Sequence, residues 1–363
     1  FGHFMARASR QAFDNIDENG RAFLLTRSGF TGTQRYSAIW TGDNSSNWDH
    51  LRMSIPCTLN LGLSGIAFNG PDVGGFAGNT EEELIIRWYQ LCFLFPFFRN
   101  HTSNHTKEQE PWSFGPTCLS RIRNTIYTRY RLLPYLYNCF FEHHLTGDPV
   151  LRPMLYEFEG KSFENTDDQF MVGRNILSAP ILTDGATANS VVTRGVQRQQ
   201  RHVTLPDGWW FDLLSGKWIE GGGTIQYAAC LDEVPLFIRD GSIIPYYNGK
   251  FHNSDIPLNK IELHIFCKER DAAYDYHIDN RETRDYLRGV FNTAKIRANI
   301  NDGQAVIDIA ETGNYKSGTV SFTPVLYGSN ASRISITGDK ARKTRALKPS
   351  TRRWVGTEVA VKA

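Results

Sequence analysis

The sequence predicts a parallel α/β unit followed by all-β structure, and three observations carry that prediction. Four short apolar runs in the first third each end in a polar side chain and are separated by helix-like segments. Buried runs that alternate with helices are the mark of parallel βα units. From about residue 149 the texture changes to short strands divided by Gly, Asp and Pro turns, as in sandwich-type β domains.

The four runs are Phe23-Leu-Leu-Thr-Arg-Ser28, Ser37-Ala-Ile-Trp-Thr-Gly-Asp43, Gly65-Ile-Ala-Phe-Asn-Gly-Pro-Asp72 and Phe95-Pro-Phe-Phe-Arg-Asn-His101. Residues 47–61 read as a helix with Trp48, Leu51, Ile55 and Leu59 on one face, and 81–93 as another. The second follows Thr80 with three glutamates, which suit the positive end of a helix dipole. Each run closes on a chemically able residue: Arg27, Asp43, Asp72 or His101. A (β/α)8 barrel gathers its chemistry at the C-terminal ends of its strands. A whole barrel takes about 250 residues, so the 148 before the change of texture are expected to form its second half.

A long helical segment over 118–144, interrupted by Pro134, closes this unit. The β region is read as two sandwich-type domains, with a boundary near 148 and a softer one near 250, at the linking turn Tyr247-Asn-Gly-Lys250. The expected organisation is therefore a half-barrel over 1–148, a proximal β domain over 149–250 and a distal one over 251–363.

Composition narrows the function classes. Hydrophobic residues make up 40 % and charged residues 21 %, with a net charge of +2, so no concentrated basic face offers itself to nucleic acid or an anionic membrane. The basic stretch Lys340, Arg342, Lys343, Arg345 and Lys348 reads as solvated surface. The six cysteines are widely spaced, without a CxxC pair or nearby histidines, which argues against a zinc site or a disulfide framework. No run of about eighteen apolar residues suggests a membrane span. The first residues lack the pattern of a signal peptide, and the chain is expected to begin inside a longer one. Aromatics reach 13 %, with eight tryptophans, a supply that suits stacking on sugar faces as well as core filling.

The motifs are more specific. Phe23-Leu-Leu-Thr-Arg-Ser28, Gln34-Arg-Tyr-Ser-Ala-Ile-Trp-Thr-Gly-Asp-Asn44, Trp48-Asp-His-Leu51, Gly70-Pro-Asp-Val-Gly-Gly-Phe76, Arg87-Trp88 and Pro96-Phe-Phe-Arg-Asn-His101 resemble glycoside hydrolase family 31 in order and spacing. Downstream, Leu205-Pro-Asp-Gly-Trp-Trp-Phe-Asp212 and Pro235-Leu-Phe-Ile-Arg-Asp-Gly-Ser-Ile-Ile-Pro245 resemble the family's β domain. The resemblance covers roughly residues 1 to 250. It implies that Asp43 is the general acid/base and that Arg27 and His101 hydrogen-bond the sugar in subsite −1. Asp72 would lie beneath that subsite, with Trp40 and Phe76 as apolar walls.

The family's nucleophile sits in a Trp-x-Asp-Met-Asn-Glu type of block that this sequence does not contain, and is expected on an upstream segment of the same enzyme. The resemblance thus implies a retaining exo-α-glycosidase, most simply an α-glucosidase acting on oligosaccharides, with neither metal nor organic cofactor. A transglucosidase, an α-xylosidase, an α-glucan lyase and a non-catalytic carbohydrate-binding fragment are the alternatives.

A retaining glycosidase needs two carboxyl groups about 5 Å apart, one to attack and one to protonate the leaving oxygen. The acid must hold its proton near neutrality, so Asp43 is expected to be buried among Trp40, Phe76 and the nucleophile. Arg27, always cationic, is expected nearer Asp72 and the substrate than Asp43. Among secondary candidates, the acidic loop 108–110 could shape access to the pocket. His143 and His144 read as a helix-terminal pair, and Asp212 and Asp232 as turn residues. Asn44, Asn100, Asn104 and Asn330 fit the glycosylation pattern, yet a glycan on Asn44 or Asn100 would block the site. An unglycosylated cytoplasmic or periplasmic protein is the expectation.

Overall fold

The computed structural model describes residues 1–249, 258–316, 320–338, 342–346, 348–355 and 357–362. The end of the linking turn at Lys250 and much of the basic stretch 340–348 lie outside the described residues.

The four apolar runs form parallel strands in chain order. Strand β1 (Leu25–Thr26) pairs with β2 (Ala38–Trp40), and β2 with β3 (Asn69–Gly70). After Pro71 the same run continues as β4 (Asp72–Val73), which pairs with β5 (Arg99–Asn100). Pro71 has no N–H for the ladder, which accounts for the break between β3 and β4. The ladders are short because only the middle of each apolar run keeps sheet geometry; the strand ends turn into loops that carry the polar residues.

Helices cover the outside. Helix α1 (Gly2–Ile16) precedes β1 and was not anticipated, since its one buried residue is Ala6 and its apolar side chains face solvent. Helix α2 (Trp48–Leu63) starts at Asn47, whose side chain caps it by accepting the His50 N–H at 2.8 Å. Its face of Leu51, Ile55 and Leu59 is buried as the spacing predicts. Helix α3 (Glu82–Cys92) is enclosed along most of its length, Trp88 and Leu91 completely.

Helix α4 (Pro116–Thr146) runs on past Pro134 as one element, correcting the expected interruption. Proline removes one backbone donor, but Leu132, Tyr135 and Leu136 are buried on either side and hold the helix together. Arg129 ties it to the turn that follows α3 by donating to the Phe93 and Phe95 carbonyls at 2.6 and 2.7 Å, and burial brings its guanidinium down to about 10.

The β region contains a six-stranded antiparallel sheet from Leu151–Arg152 to Leu236–Arg239, with a three-stranded sheet beside it. Two five-stranded sheets follow, and the buried side chains of both merge in a single cluster around Leu263, Ile296, Ile307 and Ile334. Strand Ser242–Tyr247 pairs with Lys260–Phe266 and so belongs to the first of these five-stranded sheets. The change of sheet therefore falls between Arg239 and Ser242, ahead of the boundary expected near 250. Tyr247 and Lys260, on either side of that expected boundary, lie on neighbouring strands of one sheet.

The distal sheets are fastened to the first unit. Residue Gly20 forms a β-bridge with Thr283, and the Arg21 guanidinium meets both Asp279 and the Tyr137 hydroxyl. No helix among the described residues is long and apolar enough to cross a membrane. All six cysteines are free thiols, four of them buried.

A polar chain runs through the first five-stranded sheet. Trp354 Nε1 donates to the Tyr327 hydroxyl, which meets His264 Nδ1; His264 Nε2 faces Glu262, and Arg352 grips that carboxylate through two nitrogens. Burial alone would raise the Glu262 carboxyl, but His264 and Arg352 outweigh it and hold it at about 2. A depressed carboxyl contributes stability above its unfolded value of 4.5 and loses it as pH falls toward about 2. Acid unfolding followed by circular dichroism is expected to show that loss, and Glu262→Gln to reduce the pH dependence in this window, leaving the share of other depressed carboxyls such as Asp279. An unchanged acid limb in the variant would contradict the assignment.

Candidate active site

Five of the six residues singled out from the sequence lie at or just beyond the C-terminal ends of the parallel strands; the sixth, Asp72, is the first residue of β4, just past the end of β3. Arg27 follows β1, Trp40 ends β2, Asp43 follows it, Asp72 opens β4, Phe76 leaves it and His101 follows β5.

Two contacts join these residues directly. Arg27 Nη1 donates to Asp43 Oδ2 at 3.1 Å. The rings of Phe76 and His101 stack, 5.2 Å apart and 27° from parallel. The first contact corrects the expectation that Arg27 would favour Asp72. It also meets an exposed carboxylate: the side chains of Arg27 and Asp43 are 55 % and 44 % accessible, where burial of Asp43 was expected. Trp40 and Phe76 are each only half-buried and leave the carboxylate open to solvent. The backbone explains the pairing. Gly42 has φ +87°, and a Cβ there would lie 3.3 Å from Arg27 Nε. The missing side chain lets the guanidinium cross the turn to reach the next residue.

Asp72 has a different partner, Arg99, which the sequence reading quoted within the β5 block without assigning it a role. The carboxylate is fully buried; Arg99 is half-buried and lies over the Trp40 ring, 5.5 Å from its centroid. Burial pushes the Asp72 carboxyl above its ordinary value, and the Asp43 charge adds to this, while Arg99 and His101 oppose it. Asp72 Oδ2 has no hydrogen-bond partner among the described residues. An ionised carboxylate with one bare buried oxygen is costly, which is the physical content of the upward shift.

The loops that carry these groups are locked by two amides. Buried Asn44, next to Asp43, donates through Nδ2 to the Asp72 carbonyl at 2.9 Å and accepts the Phe76 N–H through Oδ1 at 2.9 Å. Its own carbonyl accepts from Phe76 and Ala77. Buried Gln109 donates to the His101 carbonyl at 2.9 Å and to Asn100 Oδ1 at 2.8 Å, and Asn100 Nδ2 returns a bond to the Gln109 carbonyl. The acidic loop 108–110 thus contributes an internal brace. The chain between these amides reverses sharply at Gly74 and Gly75, both left-handed, and a Cβ on Gly75 would come within 2.4 Å of the Ser46 nitrogen. Only glycine fits there.

The secondary candidates lie elsewhere. His143 is in the last turn of α4 and bonds the Asp148 carbonyl at 3.0 Å. Asp212 accepts the Leu214 and Ser215 N–H groups in a turn, and Asp232 pairs with Arg121 of α4 at 2.7 Å. No three His, Cys, Asp or Glu side chains converge as metal ligands would, among the described residues.

Replacing Asn44 by alanine removes two buried hydrogen bonds, each worth about 0.5–1.5 kcal/mol, while the Asp72 carbonyl keeps the Gly75 N–H and the Phe76 N–H keeps the Asn44 carbonyl. Asn44→Ala is expected to cost about 1–3 kcal/mol in urea unfolding. A loss under about 0.5 kcal/mol, the range of ordinary surface substitutions, would show that the amide does not hold the loops.

Comparison with known proteins fits this geometry. Residues 1–139 match the glycosyl hydrolases family 31 TIM-barrel domain, and residues 147–244 the glycosyl hydrolase family 31 C-terminal domain. The chain is 37 % identical over 343 residues to Alpha-glucosidase 2 of Bacillus thermoamyloliquefaciens, covering 94 % of this chain and 42 % of the relative. It is 39 % identical over 297 residues to a probable glucan 1,3-alpha-glucosidase of Arabidopsis thaliana, covering 80 % of this chain and 31 % of the relative. Among solved structures, a family 31 dextranase of Flavobacterium johnsoniae complexed with glucose superposes with a TM-score of 0.83 at 25 % identity. That match covers 100 % of this chain and 47 % of the dextranase. The chain therefore spans less than half the length of these relatives. Two adjoining domains of one family account for most of its residues in the expected order, and the chain belongs to glycoside hydrolase family 31.

Proposed function

We propose that this chain supplies the acid/base half of a retaining exo-α-glycosidase, an α-glucosidase that removes terminal non-reducing glucose from α-linked oligosaccharides. The observation that carries the reading is the position of Asp43: an accessible carboxyl at the strand ends, hydrogen-bonded to Arg27, with buried Asp72 and the Phe76–His101 stack on the following loops. The names of the relatives, two of them α-glucosidases, support the substrate class.

In this mechanism Asp43 gives its proton to the glycosidic oxygen as a nucleophilic carboxylate attacks the anomeric carbon, the C–O bond breaks and the aglycone leaves. Asp43, now ionised, takes a proton from water as that water's oxygen attacks the anomeric carbon, releasing glucose and the nucleophile. Arg27 holds the Asp43 carboxyl in place through the hydrogen bond at 3.1 Å. Asp72 cannot be the nucleophile, because it is fully buried and clamped by Arg99. We assign that role to a carboxylate outside these 363 residues, on the rest of the barrel. The exposed apolar side chains around β1 support this: Phe4 is 65 %, Phe23 57 % and Phe30 62 % accessible, and Phe23 meets Phe68 at 5.7 Å. Apolar surface of that kind marks a face that another element covers.

In the complete enzyme, Asp43→Asn is expected to lower kcat on maltose by about 10²–10⁴-fold, the usual worth of general acid–base catalysis. Azide should partly restore turnover of an aryl α-glucoside with a good leaving group. Wild-type turnover of maltose by the variant would remove Asp43 from the mechanism. The isolated 363-residue chain is expected to leave the aryl glucoside intact, and hydrolysis by it would place the nucleophile within the chain.

A further inference from the structure

A cavity in the β region has no part in this chemistry. It lies where strand Leu236–Arg239 ends, between the 157–163 segment, the paired strand ends Leu205 and Gly223, and the turn at Arg270. None of its lining residues belongs to the loops that carry Asp43, Asp72 or His101. The cavity holds about 500 Å³, within the range of about 300–1,000 Å³ typical of small-molecule sites.

Two arginines line it, and neither guanidinium makes a hydrogen bond or ion pair among the described residues. The fold holds both in place. Arg239 is half-buried and lies over the Phe158 ring, 5.1 Å from its centroid, and Phe158 in turn meets buried Trp210 edge-on at 5.9 Å. The next residue, Asp240, is buried and accepts the N–H groups of Lys268, Glu269 and Arg270 at 2.7, 3.0 and 3.1 Å. That clasp lays the Arg270 stem on Gly241, where a Cβ would come within 3.2 Å of Arg270 Cβ. Three consecutive residues, 239 to 241, thus bring the second arginine to the first.

The acids nearby leave this charge standing. Glu157 is bonded to buried Arg152, and Glu159 and Asp207, both exposed, pair with neither arginine. Burial pulls the Arg239 guanidinium below its ordinary value and the Arg270 charge adds to this; Glu157 opposes it, and Arg174 adds a little more. A half-buried cation beside a second cation is relieved by an arriving negative group. Guanidinium forks match the oxygens of phosphate, and two of them suit a doubly charged group better than a single charge. The Glu159 and Asp207 charges disfavour an extended polyanion such as a nucleic acid. We infer that this cavity binds a small phosphate-bearing molecule, with the phosphate held by Arg239 and Arg270. This reading does not rest on the role of Asp43.

The test uses the complete protein with its active site filled by a basic iminosugar, titrated with inorganic phosphate and with glucose 6-phosphate. Calorimetry at low ionic strength, where screening is least, is expected to show one saturable site. Arg270→Glu changes an exposed side chain, so the Tm and aryl α-glucoside turnover should stay at the wild-type level. It should weaken phosphate binding at least about tenfold, and Arg239→Gln should do the same. Absence of saturable binding by both phosphates would overturn the inference, as would wild-type affinity in a folded Arg270→Glu protein. Acetate binding as tightly as phosphate, or glucose as tightly as glucose 6-phosphate, would overturn the ligand class. Unchanged turnover in Asp43→Asn bears on the cleavage site alone, so the two readings can fail separately.

Discussion

The Asn44 side chain is the constraint on which the proposed site rests. One amide spans two βα loops, satisfying a carbonyl at Asp72 and an N–H at Phe76, one residue away from the exposed Asp43 carboxyl. The Asn44 carbonyl joins the same loops by accepting from Phe76 and Ala77, and beyond these bonds Asp43 has only a half-exposed arginine for company. A carboxyl that must meet a glycosidic oxygen needs a position fixed to a fraction of an ångström. Here the fixing is done by backbone groups of the neighbouring strand, which are themselves held by Gln109 and by the glycine reversal after β4.

The electrostatics divide the two aspartates by environment. Asp72 is enclosed, pushed up by burial and restrained by Arg99. Asp43 is open and bonded to Arg27. Two carboxyls close enough to influence one another are thus assigned different work: Asp72 is walled off with a cation beneath the rim, and Asp43 can meet a ligand. Within the proposed mechanism, exposure of Asp43 is a resting condition, and a bound sugar together with the rest of the barrel would supply the apolar surroundings that an acid requires.

Much of this could be read before any coordinates. Strand order was visible because each strand is a buried apolar run that ends on a polar side chain; Arg27, Asp43, Asp72 and His101 stood out as those run ends, while Trp40 and Phe76 came only from the family resemblance. The partners of Arg27 and Asp72 were not. Sequence gives the order of strand ends, but which guanidinium reaches which carboxylate depends on the crossing at Gly42 and on Arg99 lying over Trp40, contacts between residues far apart in the chain. Gln109 was hidden inside an acidic loop that was read only as shaping access to the pocket. Helix α1 escaped notice because it buries almost nothing within this chain, and burial is what a hydrophobic pattern records. Strand Ser242–Tyr247 was not singled out, because a run of buried residues does not reveal which sheet it joins.

The account turns on proton transfer by Asp43, and leaving-group dependence tests that most directly. In the complete enzyme, kcat/KM for a series of aryl α-glucosides should vary little with leaving-group pKa, because an acid assists departure. In Asp43→Ala the same plot should become steep, with the poorest leaving groups affected most. Parallel plots for the two proteins would contradict the account.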